Sequence, residues 1–290
     1  KVAGLSISRP GADPNGGFSI RLRGLATLGA NTQPLVIIDG LIGGSLALVD
    51  PNDIESIDVL KDGSAAAIYG TRASSGVIII TTKKGRRGFS SVEYNGYVAA
   101  ESIARQVQTV SADEFVRLRG QTDNRGNNTD WMDEVTRTGI SHVHNLGNGS
   151  TYRASINYRN VQGIGVVSGF NQLNGRLNLS QKALNDRLTL DLNLAASERE
   201  ADYGFVEAFR YATLYNPTAP VSFADNSTNP LRNKYGGYYQ EENFDYFNPV
   251  GILEQGSNLG SIKSLVLGGR ADYLLAEGLN LVAAYTVQRE

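Results

Sequence analysis

Strict alternation of apolar and polar residues governs much of the second part of this chain. Between Arg187 and Ser197, leucine or alanine occupies every even position, and polar residues occupy most odd positions. Successive side chains of a β-strand point to opposite faces, so a period of two predicts a strand with one apolar and one polar face. The pattern excludes an amphipathic helix, in which apolar residues recur every three or four positions.

About seven strands of this kind are predicted after residue 89. They are Val92–Ala100, Ile140–Leu146, Thr151–Asn160, Asn171–Gln181, Arg187–Ser197, Ile262–Leu275 and Leu279–Arg289. Tight turns follow at 183–186 and 276–278, whereas residues 199–261 form one long loop. Short turns at one end and long loops at the other are typical of outer-membrane barrels. A water-soluble sandwich, with the apolar faces as its core, predicts the same alternation and stays open at this point.

Composition excludes several other classes of protein. The chain has 27 Lys and Arg against 29 Asp and Glu, and this balance is poor for binding nucleic acid, which depends on neutralising phosphates. With no cysteine and two histidines, disulfides, thiolate metal sites and histidine-rich centres are excluded. No run approaches the roughly 20 apolar residues of a membrane-spanning helix. We therefore predict no enzyme, no cofactor and no resident metal.

The first 88 residues differ in character and are predicted to form a separate domain of mixed α+β type. Short strands are expected at Ser19–Gly24, at Pro34–Gly40 with an Asp-Gly turn, at Ser56–Leu60 and at Gly76–Thr82. Asp50 precedes Pro51 as a helix N-cap. A basic, glycine-containing stretch at 83–88 marks the boundary, so the predicted domains are 1–88 and 89–290.

Catalytic or metal-binding interpretations find little support. The acids Asp53, Glu55, Asp58 and Asp62 fit a solvated strand edge better than a glycosidase pair. His142 and His144 lie on one face of a strand, but two ligands without a third do not form a catalytic metal site. The oxygen-rich stretches 123–130 and 225–229 lack the glycine and terminal glutamate of a calcium loop.

The long loop is rich in aromatic and amide side chains. Aromatic faces and amides suit sugars or peptides, and they equally suit an interfacial aromatic girdle or simple loop packing. The possible substrate-contacting residues are Tyr211, Tyr215, Tyr235, Tyr238, Tyr239, Phe244 and Tyr246.

One long block of the first domain resembles the plug of TonB-dependent outer-membrane transporters, specifically the SusC/RagA-like branch of the Bacteroidota. It runs from Asp53 through Leu60-Lys61-Asp62-Gly63-Ser64 and Tyr69-Gly70 to Gly85, and Ile20–Gly24 and Pro34–Gly40 precede it. Asn128–Trp131 and Tyr215–Pro220 look like further family landmarks. The resemblance singles out these plug residues: Arg21, Arg23, Gly24, Asp39, Gly40, Asp53, Glu55, Lys61, Asp62, Tyr69, Gly70 and Arg72.

This resemblance implies a barrel of about 22 strands around an N-terminal plug. It also implies a SusD-like lipoprotein lid, energy delivered through TonB, and oligosaccharide or peptide cargo crossing the outer membrane of a Gram-negative bacterium. About seven strands cannot close around a plug, because an open sheet edge in lipid leaves backbone groups unsatisfied. We therefore expect the chain to be an internal fragment, lacking the segment that contacts TonB and unable to insert or transport by itself.

Alternative functions remain open from the sequence. They are a non-transporting glycan-binding barrel or adhesin, a siderophore-type TonB-dependent receptor and a secreted glycoside hydrolase. The plug-like block argues against an adhesin, which needs no plug. Within the plug, Arg21, Arg23 and Arg72 are expected to pair with Glu55, Asp58 or acids of the barrel wall and thereby seat the plug; simple solvation of these arginines is the competing interpretation.

Overall fold

The computed structural model describes residues 4–8, 13–22, 33–61, 68–85, 90–149, 152–241 and 246–290. Thirteen strands form three sheets within these residues. The strands are β1 Leu5–Ser8, β2 Ser19–Leu22, β3 Leu35–Ile38, β4 Leu41–Ile42, β5 Ile54–Leu60, β6 Val77–Thr82, β7 Ser91–Glu101, β8 Gly139–Gly149, β9 Tyr152–Gln162, β10 Gly169–Ala183, β11 Leu188–Asp202, β12 Leu259–Ala276 and β13 Leu279–Arg289.

The short α-helices whose full extent the structure describes lie in the connections between strands. They are α1 Ala112–Arg119, α2 Trp131–Glu134, α3 Glu207–Leu214, α4 Pro230–Lys234 and α5 Pro249–Gln255. Single 3-10 turns occur at Leu46–Leu48, Pro51–Asp53, Gly70–Ala73 and Gln121–Asp123. Within the described part of the chain, no helix combines the length and apolar character needed to cross a membrane.

The plug, residues 4–85, consists of two sheets. Strands β1 and β2 pair as an antiparallel hairpin, and the other four strands form a sheet in the order β4-β3-β6-β5. Asp39 and Gly40 both have positive φ, as a two-residue hairpin turn requires, and this confirms the predicted Asp-Gly turn. Ile20 of the hairpin packs with Ile38, Val49, Ile78 and Ile80 of the sheet, so buried apolar contacts join the two parts.

The wall, strands β7 to β13, is a seven-stranded antiparallel meander in sequence order. All seven predicted strands are confirmed, although β10, β11 and β12 extend several residues further than predicted. The extra pairs continue the alternating pattern of the ladder up to Gly169 opposite Asp202. The end of the wall that carries the connections 102–138, 163–168 and 203–258 is called the loop end below, and the end with the tight turns is called the turn end.

The exposure of the two wall faces decides between a soluble sandwich and a membrane wall. Leu190 and Leu192 are 43% and 40% exposed on the outward face, whereas Asn157 and Asn178 are 1% and 3% exposed on the face toward the plug. A water-soluble sandwich would bury the leucines and expose the amides. The leucine face therefore has the polarity of a wall that faces lipid and encloses a polar interior.

The apolar band on β11 has the height of a membrane core. It runs from Leu188 to Ala196 on the outward face, about 27 Å along the strand at ~3.4 Å per residue. A barrel strand tilted by about 40° spans roughly 21 Å of membrane with that length, close to the ~25 Å band of known barrels. Glu198 and Glu200 follow on the same face, and Lys263 lies 2.6 Å from Glu198. The outward face thus turns from apolar to charged near the loop end.

The predicted loop at 199–261 is not irregular, and this corrects the sequence interpretation. Its first and last residues belong to β11 and β12, and the remaining segment carries α3, α4 and α5. Trp131 packs edge-on against Tyr215 at 4.9 Å and donates its indole N–H to the Asn216 carbonyl at 2.9 Å. The connections 102–138, 163–168 and 203–258 pack together at the loop end, and we call them the loop layer. The buried core of the loop layer comprises Trp131, Met132, Val135, Ala208, Ala212, Tyr215, Ala219, Val250 and Leu253.

Candidate functional site

Three aspartates of the plug pair with three arginines of the wall. The pairs are Asp39 with Arg176 at 3.1 Å, Asp50 with Arg159 at 2.6 Å and Asp53 with Arg153 at 3.3 Å, each measured from a guanidinium nitrogen to a carboxylate oxygen. The arginines belong to β9 and β10 and point inward, and the aspartates lie within one plug segment, residues 39–53. We call these contacts the plug seat.

Further hydrogen bonds hold each aspartate of the plug seat. Asp39 occupies the turn after β3 and accepts hydrogen bonds from the Thr82 amide at 2.8 Å and the Thr82 hydroxyl at 2.7 Å. Asp50 caps the turn at Pro51–Asp53 by accepting from the Asn52 amide at 2.8 Å, as its sequence predicts. Asp53 also accepts the hydroxyl of Ser155 at 2.6 Å. The plug itself therefore orients Asp39 and Asp50, whereas Asp53 is held by two side chains of β9, Arg153 and Ser155.

Burial makes the plug seat specific. The side chains of Asp39, Asp50 and Asp53 are all less than 10% exposed. Removing one partner of a buried ion pair leaves an uncompensated charge, which costs about 3–5 kcal/mol. Such pairs add modest net stability but disfavour any docking that leaves a charge unpaired. The plug seat therefore sets the register of the plug in the lumen.

Comparison with known proteins identifies the family. The model of the TonB-dependent Receptor Plug Domain matches residues 1–77. The TonB-dependent receptor SusC of Bacteroides thetaiotaomicron is 37% identical over 268 residues, covering 84% of this chain and 26% of that protein. The chain belongs to the SusC/RagA-like TonB-dependent receptors. It carries the plug and part of the barrel, and it spans about a quarter of the length of the curated relatives it matches.

Solved structures agree on the fold of this SusC/RagA-like chain. The RagAB peptide transporter superposes with a TM-score of 0.79 at 23% identity, covering 99% of this chain and 38% of that one. The ferric citrate transporter FecA superposes with a lower TM-score of 0.54 at 15% identity. TonB-dependent receptors are outer-membrane transporters of Gram-negative bacteria and not enzymes. The outward leucine band is consistent with that location.

The described ion pairs of the plug seat have the opposite polarity to the pairs that the sequence predicts. Plug arginines were expected to seat the plug against acids, yet Arg21 and Arg72 are exposed, and the described ion pairs of the plug seat run from plug aspartates to wall arginines. Glu55 of β5 is also exposed in this chain. Arg23, Gly24 and Asp62 lie outside the described residues.

Sequence reasoning missed four members of the plug seat. Asp50 was interpreted only as a helix cap, and Arg153, Arg159 and Arg176 only as polar positions of alternating strands. One signal could have revealed these arginines: they recur on the inward face of neighbouring strands, although a water-filled lumen does not by itself require positive charge there. Lys61 is half-buried directly after β5, and Tyr69 immediately precedes the 3-10 turn that begins at Gly70.

The structure divides the seven aromatic loop residues into separate groups. Tyr215 is buried in the loop-layer core and donates its hydroxyl to the Tyr239 carbonyl at 3.1 Å, so both have structural roles. The ring centroids of Tyr211 and Tyr246 are 5.3 Å apart, and the Arg210 guanidinium lies beside both rings. Phe244 lies outside the described residues.

Tyr235 and Tyr238 line a separate cavity of about 280 Å³. Phe247, Ile252 and Gln255 complete most of its lining, and Phe247 is 52% exposed at its rim. Gln240 and Asn248 also line the cavity, but their side-chain amides bind within the protein, since Gln240 donates to the Tyr246 carbonyl and Asn248 donates to the Tyr239 carbonyl. Of the predicted loop aromatics, Tyr235 and Tyr238 line this cavity.

The acid–base state of Tyr238 gives a prediction. Its hydroxyl donates to the Glu254 carboxylate, and this bond raises the pKa of Tyr238 to about 12. A raised pKa favours the protonated phenol, so the contribution to stability is present below pH ~10 and is lost as the pH rises through about 12. We expect Glu254→Gln to return the pKa toward ~10. Ultraviolet titration of tyrosinate, with Tyr238→Phe spectra subtracted, measures the shift; equal values in the two backgrounds would contradict the hydrogen bond.

The two histidines lie on the outward face of β8. The ring centroids of His142 and His144 are 5.4 Å apart, and the Tyr94 hydroxyl is hydrogen-bonded to Nδ1 of His144 at 2.7 Å. His144 lies opposite Tyr158, near the level where the outward face becomes polar. Among the described residues, no three His, Cys, Asp or Glu side chains group as metal ligands.

Proposed function

We propose that the full-length protein imports oligosaccharides or similarly large nutrients across the outer membrane, driven by TonB and assisted by a SusD-like lipoprotein. The observation that carries this proposal is a plug with its own apolar core, fastened inside a lipid-facing wall by the plug seat. A passive adhesin needs no such plug. The 37% identity to SusC supports the branch.

The loop layer supports a large polar cargo. It holds a rigid core above the lumen, with the Tyr235 and Tyr238 cavity open to solvent beside it. Aromatic faces stack on sugar rings and on peptide side chains alike. Oligosaccharide is the cargo that we propose, and peptide is the alternative that the experiment must separate.

Uptake by intact cells tests the proposal. The full-length gene is expressed with a SusD-like lipoprotein gene, and uptake of labelled oligosaccharides and labelled oligopeptides is compared. We expect oligosaccharide uptake that disappears when TonB is deleted. Peptide uptake with the same TonB dependence would reassign the cargo, and binding without any TonB-dependent uptake would favour an adhesin.

A further inference from the structure

Asn15 lies where the plug meets the loop end of the wall. Its Nδ2 donates to the Gly169 carbonyl at 3.1 Å and to the Asp202 carbonyl at 2.8 Å, and its Oδ1 accepts from Arg199 at 2.7 Å. Gly169 and Asp202 face each other as the last pair of the β10–β11 ladder. Both donors of one plug amide therefore bind the end of the wall itself.

The 163–168 turn closes over the same plug segment. Pro14 is buried, and a Cβ on Gly163 would lie 2.6 Å from its Cδ, so only glycine allows this approach. Arg137 holds the turn from the other side by donating to the carbonyls of Gly163 at 3.2 Å and Ser168 at 2.9 Å. A displacement of the turn would therefore change its contact with Pro14 of the plug.

The same turn belongs to the loop layer. The Val166 amide donates to the Val135 carbonyl at 3.0 Å, and the ring of Phe209 on α3 packs against Gly165. Val166 also packs on the core that contains Trp131 and Ala208. A continuous series of packed contacts thus runs from the loop layer through the turn to Asn15.

Asn15 also lies in the part of the plug that is not held by the plug seat. It belongs to the connection between β1 and β2, whose hairpin shares no described ladder with the four-stranded sheet. That sheet and residues 39–53 are held to β9 and β10 by the plug seat. The described contacts hold the hairpin to the wall through Pro14 and Asn15 and to the sheet by apolar packing of Leu5, Ile20 and Leu22.

We propose that Asn15 is a latch that couples the loop layer to the plug: it holds the β1–β2 hairpin until the loops rearrange around cargo, and its release lets the hairpin move while the four-stranded sheet stays docked. Coupling between two sites requires an element with two arrangements that both sites bias. The hairpin is that element, since the loop layer reaches it through the 163–168 turn. The role in cargo entry rests on the proposed function.

Hydrogen exchange of the full-length receptor without cargo tests the latch itself. Asn15→Asp keeps the size of the side chain but places a carboxylate against two carbonyl oxygens. We expect exchange of residues 13–22 to accelerate about tenfold or more, with β3 to β6 unchanged. Asn258→Asp is the matched control, because Asn258 donates to the Gly204 carbonyl at the same end without touching the plug. Equal exchange of residues 13–22 in both variants would overturn the latch, as would acceleration in β3 to β6.

A reversible cross-link tests the role in transport. The sequence contains no cysteine, so Asn15→Cys with Arg199→Cys can be joined in this region by a reducible thiol cross-linker. We expect the cross-linked receptor to bind oligosaccharide with unchanged affinity and to lose the uptake that the same double variant shows before cross-linking and regains on reduction. Uptake by the cross-linked receptor would overturn the latch. Absence of uptake in the wild-type receptor would refute the proposed function, and the exchange experiment would still decide the latch.

Discussion

Arg153→Met is expected to lower the free energy that holds the plug in the barrel of the full-length receptor by about 3–5 kcal/mol. Arg153 and Asp53 are only 10% and 6% exposed, so removing the guanidinium leaves a carboxylate that is buried and unpaired. The plug must then either keep that charge in a poor environment or shift away from β9. Hydrogen exchange of the β5 amides in the intact receptor measures the change, because these amides open when the plug undocks.

Two further variants separate the ion pair from general damage. Arg153→Met with Asp53→Asn removes both charges and keeps an acceptor for the Ser155 hydroxyl, so most of the lost stability should return. Arg270→Met is the matched control, since Arg270 is 53% exposed and pairs with Asp272 on its own strand, and its effect should stay below about 1 kcal/mol. An equal loss in Arg153→Met and Arg270→Met would refute the assigned role of the plug seat.

Trp131→Ala is expected to destabilise the loop layer by about 3–5 kcal/mol. The indole is 3% exposed, packs edge-on against Tyr215 and supplies the hydrogen bond to the Asn216 carbonyl. Its loss creates a cavity where α2 meets the segment that follows α3. Hydrogen exchange of the α3 and α5 amides measures the effect, and the wall strands should retain their protection.

Trp131→Phe and Phe247→Ala provide the comparison. Phenylalanine keeps most of the apolar contact but removes one of the two N–H donors to the Asn216 carbonyl, which still accepts from the Ala219 amide at 3.1 Å, so a loss of about 0.5–1.5 kcal/mol is expected for the hydrogen bond. Phe247 is 52% exposed in the same layer, and its removal should change stability by roughly 0.5 kcal/mol or less. If Trp131→Ala did no more than Phe247→Ala, the loop layer would have no single core.

The wall was predictable because its signal is local. The alternation from Leu188 to Ala196 identifies each outward-facing residue of the strand, and the Asp39-Gly40 pair identifies the turn after β3. The alternation alone did not show which face of the sheet contacts lipid. That assignment follows from exposed leucines beside buried asparagines, and that requires the packed sheet and the plug together.

The plug seat was not predictable in the same way. Its partners are separated by 100, 109 and 137 residues, so no spacing along the chain connects Asp53, Asp50 or Asp39 with its arginine. The sequence favoured plug arginines because arginine is conspicuous beside a wet lumen, whereas burial selects the pairs. The helices between β11 and β12 were missed because segments of five to eight residues carry too little periodicity. Tyr215 was grouped with exposed aromatics because composition does not separate a core tyrosine from a binding one.

A structure of the full-length receptor in a lipid bilayer tests the central claim most directly. The account predicts a closed barrel around the plug, with Leu190 and Leu192 facing lipid and the Asp53 carboxylate within about 4 Å of Arg153, as it is at 3.3 Å here. A plug sheet docked elsewhere with that pair apart, or a leucine face packed against a second sheet of the same protein, would contradict it.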